Sequence, residues 1–435
     1  MEITEESIGQ ILKYYLPIIA ITFSLFTPLI ILKPHLGIFL ISILIPISPS
    51  VVVGQTHVRD ITLRFEDIIF VITFISWALR RFSIPKGGEG FKISNIILFL
   101  FLLYGISTFL HLNIYNWKGV ILFYLKYAQY FFYFILAYSF VRGESDAKLV
   151  ALGFFIGVSL ALLYWIPEIM KGKIGNGVRF PFHKEYGGRE NVGIFSLGIM
   201  AISFPFIFSS KGYKKIALVI IFALSAVVYF RTLSRASYLA GLAWLIFSLF
   251  YIRKTSFFIS VLVLIAVFPF IVPDYVIDRI NYTFEGTGGG KILGNIYVES
   301  SLFVRWERWK YFLFEQLPES PIFGFGILGV GLMDSQYLRV WGEGGTAGLI
   351  IFLILLYRIF KFLKRTNQLS YNNEFLFSFS IGLFSWFVAI LFHMIGANTF
   401  VILQTSEMFW LLLGTLAGVE KNIRNSEKLM NEKNR

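Results

Sequence analysis

The 435-residue chain has no cysteine, only five histidines, and charged residues at just 15% of its composition. Without cysteine it forms no disulfide, offers no thiolate to a metal and holds no cysteine nucleophile. His35, His57, His111, His183 and His393 are scattered, without the short spacings of a metal site. A soluble globular protein carries roughly 25% charged residues, so this chain has too little polar surface to cover several soluble domains. A phosphate loop is missing too: GGGKILGN at 288–295 lacks the Lys-Ser/Thr pair and the preceding strand that such a loop needs, and reads as a flexible stretch.

What is present is apolar. Hydrophobic residues make up 56% and aromatics 18%, with 49 Phe and a mean hydropathy of +0.71. They arrive in blocks of 17 to 24, close to the roughly 20 that an α-helix needs to cross a bilayer. The pattern predicts an all-α polytopic membrane protein, one bundle over residues 1–435, with 12–14 transmembrane helices and thirteen as the best count. The spans fall near 14–32, 35–53, 66–81, 94–111, 118–141, 147–167, 191–209, 214–231, 235–252, 255–273, 345–363, 374–396 and 400–418. The first run is long and followed by many others, so it reads as an uncleaved anchor. Pro17, Pro28, Pro34, Pro46 and Pro49 crowd the first pair, which leaves a re-entrant hairpin as the alternative there.

The net charge of +13 resembles a nucleic-acid signal until the basic residues are placed. Most lie in short connections: Arg80, Arg81, Lys86 and Lys92; Arg142 and Lys148; Lys211, Lys214 and Lys215; Arg253 and Lys254; Arg358, Lys361, Lys364 and Arg365; and the tail at 420–435. The positive-inside trend makes this set cytoplasmic, together with the C-terminus, and no nucleic-acid partner is expected. Opposite it lie few cations, Arg59, Arg64, Lys118, Arg231 and Arg235, and two long loops. These are 168–190 and 274–344, the second mixing Trp and Phe with charges as short interfacial helices do.

The exceptions to the trend are the candidates for chemistry. Arg231 and Arg235, in FRTLSRASYLAG, sit where two spans meet on the external side. An arginine fork binds phosphate in two-pronged fashion, so the pair suits a diphosphate at headgroup level; the alternative is snorkelling to lipid headgroups. RWERW (305–309), PIFGFG (321–326) and DSQYLRVWGEGGTAGLIIF (334–352) form a second constellation. Its glycines, Gly324, Gly326, Gly345 and Gly348, permit tight turns and close helix approach. Asp334 and Glu343 are acids near the interface, suited to proton abstraction if partly desolvated; helix capping and a structural Glu–Arg pair are the alternatives. Arg179 and Arg189, in the first long loop, either bind diphosphate or sugar or belong to a solvated charged loop. Tyr337 and other aromatics beside these loops suit sugar stacking, and an interfacial aromatic belt would place them there equally well. Lys126, His393 and Glu407 lie within spans, where a mid-helix charge costs about 2.5–3.5 kcal/mol on insertion scales, so they should face the bundle interior.

Taken in order, these segments resemble the O-antigen ligase and polysaccharide polymerase superfamily of bacterial surface-glycan assembly. Arg305 and Trp309 match its Arg and the Trp four residues on, and Pro321, Gly324 and Gly326 match its Pro-x-x-Gly-x-Gly turn. Glu343, Gly345, Gly348 and Leu349 match Glu-x-Gly-x-x-Gly-Leu, while Ser234 and Arg235 match a Ser-Arg pair at a span start. Asn191 and FWLLLG (409–414) fit further family positions. The likeness covers about the C-terminal three-fifths by motif. Where ligases of the family carry His-Asn, this chain has Asp334 and Ser335, which favours the polymerase branch.

The resemblance implies a metal-independent glycosyltransferase of the cytoplasmic membrane, working on its external face without a cofactor and inverting the anomeric centre. Its substrates would be polyprenyl-diphosphate-linked oligosaccharides as donor and acceptor, and its partners membrane lipids and a chain-length regulator. In this reading Asp334 is the base with Glu343 second, and Arg235 stabilises the leaving diphosphate. Arg231, Arg179, Arg189, Arg305 and Tyr337 bind diphosphate or sugar. The alternatives are ligase-type transfer to a lipid or protein, and a transporter or flippase whose ion path would use Lys126, His393 and Glu407.

Overall fold

The computed structural model describes residues 24, 26–55, 60–80, 88–111, 117–170, 188–252, 274–284, 288–292, 294–331, 333–401 and 403–433. A helical stretch at 26–32 leads into α1 (Pro34–Leu44), a hairpin of β1 (Ser50–Gln55) and β2 (Asp60–Arg64), and α2 (Phe65–Leu79). The helices α3 (Gly88–Leu110), α4 (Trp117–Phe140), α5 (Glu144–Met170), α6 (Arg189–Ser209), α7 (Gly212–Arg231) and α8 (Arg235–Ile252) follow. Then come α9 (Asp274–Tyr282), the short hairpin β3 (Gly290–Ile292) and β4 (Ile296–Val298), and α10 (Ser300–Tyr311). The long helices α11 (Gln336–Leu369), α12 (Glu374–Gly396) and α13 (Leu403–Lys433) complete the chain.

Seven of the described helices, α3 to α7, α11 and α12, are long and apolar enough to cross a membrane. The architecture is therefore that of an all-α membrane protein with two small hairpins. The runs expected at 94–111, 118–141, 147–167, 191–209, 214–231, 345–363 and 374–396 fall on these seven helices. The runs expected at 235–252 and 400–418 fall on α8 and α13, where Glu407 and the Gln404–Ser406 triplet dilute the apolar character of α13. The expected span 255–273 and most of 14–32 lie outside the described residues, as does 171–187 of the first long loop.

One expectation needs correction. Residues 35–53 do not make one span: α1 stops at Leu44 and the chain turns into β1. Pro46 and Pro49 cannot continue the helical ladder, and the β-branched run Val51–Val53 suits an extended strand. Within the expected loop 274–344 a short helix runs over 336–344 up to the break at Gly345, because Gln336, Arg339, Val340 and Glu343 share one buried stripe of helical period.

α6 and α12 form the centre of the bundle. Nearly every side chain from Asn191 to Ser203 and from Ser378 to Ile390 is buried, and Trp386 donates from its indole to the Ile194 carbonyl at 3.1 Å. α7 and α8 flank α6 and α12, α13 packs along α4, α3 along α11, and α1 along α5. α7 leaves most of one side uncovered, as a helix facing lipid does.

The most informative backbone feature lies inside α11. Gly345, at φ +63° and ψ −167°, breaks the helix. The turn at 321–326 docks into the break and takes over its hydrogen bonds. Phe325 N donates to Gly342 O at 2.7 Å and Gly326 N to Glu343 O at 2.9 Å, while Thr346 N and Ala347 N donate to the Pro321 and Ile322 carbonyls. The Ser107 hydroxyl on α3 adds a bond to Glu343 O at 2.8 Å. Such satisfaction is obligatory for backbone broken at membrane depth. Gly324, also at positive φ, sits against the break so closely that a Cβ would lie 2.4 Å from Gly345 N.

Candidate functional site at the long-loop end

One end of the bundle gathers the start of α6, the α7–α8 turn, the segment 274–335, and the meeting of α12 with α13. Leu233 closes the α7–α8 turn at φ +52°, a conformation costing on the order of 1–3 kcal/mol for a residue with a side chain. The strain sits between Arg231 and Arg235. Ser234 caps α8 by accepting from Ser237 N at 3.3 Å.

Arg235, the first residue of α8, reaches across to the segment above it. Its guanidinium lies 2.5 Å from Glu299 and donates to Ser301 at 2.9 Å and Thr283 at 3.3 Å. Arg279 on α9 holds the other Glu299 oxygen at 3.0 Å, and the Ser301 hydroxyl donates to the first at 2.6 Å. Burial pushes the Glu299 carboxyl up. The bonds from Ser301 and Arg279 and the charges of Arg235 and Arg279 outweigh that and hold it below the usual carboxylate range.

Arg305 on α10 lies close enough to Arg235 for their charges to oppose each other. It bridges two acids: its Nε donates to Asp334 at 2.8 Å, and its Nη2 reaches Glu190, at the head of α6, at 3.3 Å. Asp334 is half exposed. Three arginines from three helices thus face three carboxylates, Glu190, Glu299 and Asp334, at one end of the bundle. Such a set binds phosphate oxygens once the carboxylates yield.

The other predicted residues fall as follows. Arg231 ends α7 and Arg189 opens α6; both are half-buried and partnered within the protein. Arg179 lies outside the described residues. Tyr337 is half-buried and donates to the Leu391 carbonyl on α12 at 2.8 Å. Glu343 is 1% exposed and away from the three-arginine cluster. Its Oε1 accepts from Arg339 at 3.0 Å and Leu328 N at 3.3 Å, and its Oε2 from Tyr127 at 3.3 Å. That is the geometry of the structural Glu–Arg pair, and it pins the 321–328 turn to α4 and α11.

Beneath the arginines runs a buried polar layer. His393 lies between Thr399, at 2.8 Å, and Ser237, at 3.4 Å, while Asn191 exchanges bonds with Gln404 and Thr405. Deeper still is a second charged cluster. Arg64 pairs with Glu66 at 2.5 Å and with Glu407, and Lys126 lies 3.7 Å from both Asp67 and Glu407. The Glu66, Asp67 and Glu407 oxygens lie within 4.8 Å of one another, near enough to share a metal ion. Arg64 and Lys126 already offset two of those three charges.

Glu190, Arg279 and Glu299 were not among the residues that sequence reasoning selected for the site. Glu190 stood in plain view beside Arg189, but Arg279 and Glu299 fall in a segment whose fold has no sequence signature. Arg64 did carry a signal, as one of the few cations that break the charge trend.

The fold and this site define a polytopic helical membrane protein with an arginine-rich cluster at one end. Comparison with known protein families finds no match, and comparison with the sequences of curated proteins finds none either.

Proposed function

We propose that this chain is an integral-membrane glycosyltransferase that joins polyprenyl-diphosphate-linked oligosaccharides into a polymer on the external face of the cytoplasmic membrane. The observation that carries the reading is Arg305, held between Glu190 and Asp334 and beside Arg235. The ordered motif likeness of 305–349 and 234–235 adds to it.

In this reading an incoming diphosphate replaces the carboxylates on Arg305, so that Arg305 and Arg235 meet phosphate oxygens. Asp334, released, accepts the proton of the acceptor hydroxyl. The hydroxyl oxygen bonds to the anomeric carbon while the bond from that carbon to the diphosphate breaks, and the diphosphate leaves with the electron pair. Preorganised cations at the leaving group stabilise the charge that grows there. This reading gives Glu343 a structural role, because Arg339, Tyr127 and Leu328 enclose it. Lys126, His393 and Glu407, which motivate a transport reading, have fixed protein partners.

The test is polymer formation by purified, reconstituted protein. D334N and R235A are each expected to lose activity by roughly 100-fold or more, the usual scale for an acid–base group or an oxyanion-stabilising donor. Full activity in both would remove this site assignment. A ladder of repeat lengths marks a polymerase, and a single transferred glycan a ligase.

A further inference from the structure

At the opposite end of the bundle, where the α4–α5 turn and the end of α2 meet, lies a cavity of about 420 Å³. Lys33, His35, Arg80 and Arg142 line it, with Asp146 as the one acid and Leu32 at its edge. The three cations come from three separate segments: the break between the 26–32 stretch and α1, the end of α2, and the α4–α5 turn. Arg80 closes the break. Its Nη2 donates to the Ile31 and Leu32 carbonyls at 3.0 and 3.3 Å, which leaves the donors of its other nitrogens for a further acceptor. The Asp146 carboxylate is already engaged, accepting from Arg142 N at 2.8 Å. Neither Lys33, Arg80 nor Arg142 makes an ion pair with a carboxylate among the described residues.

Connections rich in Lys and Arg are the ordinary orientation signal of a membrane protein, and such a signal depends on the number of charges, not on their arrangement. Here the charges converge on a cavity, which orientation alone does not require. Apolar surface continues from its rim: Leu32 is 75% exposed and Leu79, next to Arg80, is 69% exposed. A basic pocket with an apolar lip matches a phosphate that carries hydrocarbon chains. We propose that this cavity is a binding site for the phosphate headgroup of an anionic membrane lipid, with the acyl chains lying along Leu32 and Leu79. It is distinct from the long-loop site and would hold the break before α1 closed.

The experiment uses the full chain, purified in mixed micelles with phosphatidylcholine or phosphatidylglycerol, and counts retained lipid by native mass spectrometry. Wild type and the control K214Q/K215Q, which removes two exposed charges at the same end, are expected to retain phosphatidylglycerol over phosphatidylcholine. R80Q/R142Q is expected to bind it roughly 25-fold more weakly, at about fivefold per cation, with R80K/R142K recovering most of the loss. R142Q alone, which disturbs no side-chain bond of the fold, should lose about fivefold, so the test stands even if the double variant misfolds. Equal loss in K214Q/K215Q, retention in R142Q, or equally strong binding of inorganic phosphate in place of the lipid would overturn the site.

Discussion

Asp334 and Glu343 are the two acids that the sequence offers for proton transfer, and their surroundings separate them. Asp334 is half exposed on an arginine that two carboxylates share, whereas Glu343 is enclosed by three donors. E343Q should therefore act on stability, since breaking one side of a buried pair costs about 3–5 kcal/mol. Thermal unfolding in detergent checks this, and R339M/E343Q should be milder than E343Q. A loss of activity in E343Q with unchanged unfolding would point to a chemical role instead. Glu299 carries a pH signature. Its folded carboxyl titrates below the unfolded value of about 4.3, so its stabilising contribution is complete at neutral pH. That contribution is lost as pH falls through the depressed value. Hydrogen-exchange protection over 274–311, taken relative to the intrinsic rate at each pH, should fall on acidification in wild type and already be low at neutral pH in E299Q. Protection in E299Q equal to wild type would show that Glu299 does not hold this segment.

Among the elements, α11 explains why two glycine motifs occur together. The Pro321–Gly326 turn and the Glu343–Gly348 stretch are two halves of one broken-helix joint. G345A meets a positive φ, which costs on the order of 1–3 kcal/mol, and its Cβ would lie 2.2 Å from the Ile322 carbonyl. G348A has its nearest neighbour at 3.5 Å and in helix should be neutral or gain about 0.5–1 kcal/mol. Melting temperatures of the two variants decide the matter, and similar values would contradict the joint. The glycines were legible as close-approach positions, but their partnership was not, because no local pattern records which loop fills a break. The same limit applies to α1 and β1. Their prolines marked the irregularity, but no local pattern records that Arg64, at the end of β2, reaches Glu407 across the fold, a tertiary contact. The apolar runs on α3 to α7, α11 and α12 were legible, since length and hydropathy alone decide that a helix suits a bilayer.

For the whole molecule, the charge bias makes a topological prediction. The cysteine-free sequence accepts single reporters without background. E307C, on α10, should react with an impermeant maleimide from outside intact cells, and N372C, in the turn between α11 and α12, only after permeabilisation. The reverse pattern would turn the molecule over and place the arginine cluster in the cytoplasm. The central claim is that the cluster around Arg305 performs glycosyl transfer. Its most direct test is product analysis after purified wild-type protein and R305A are given a polyprenyl-diphosphate-linked oligosaccharide in vesicles. New glycosidic bonds with stoichiometric release of polyprenyl diphosphate, formed by wild type and lost in R305A, are the predicted result. Movement of the lipid across the vesicle membrane with no bond formed would contradict it.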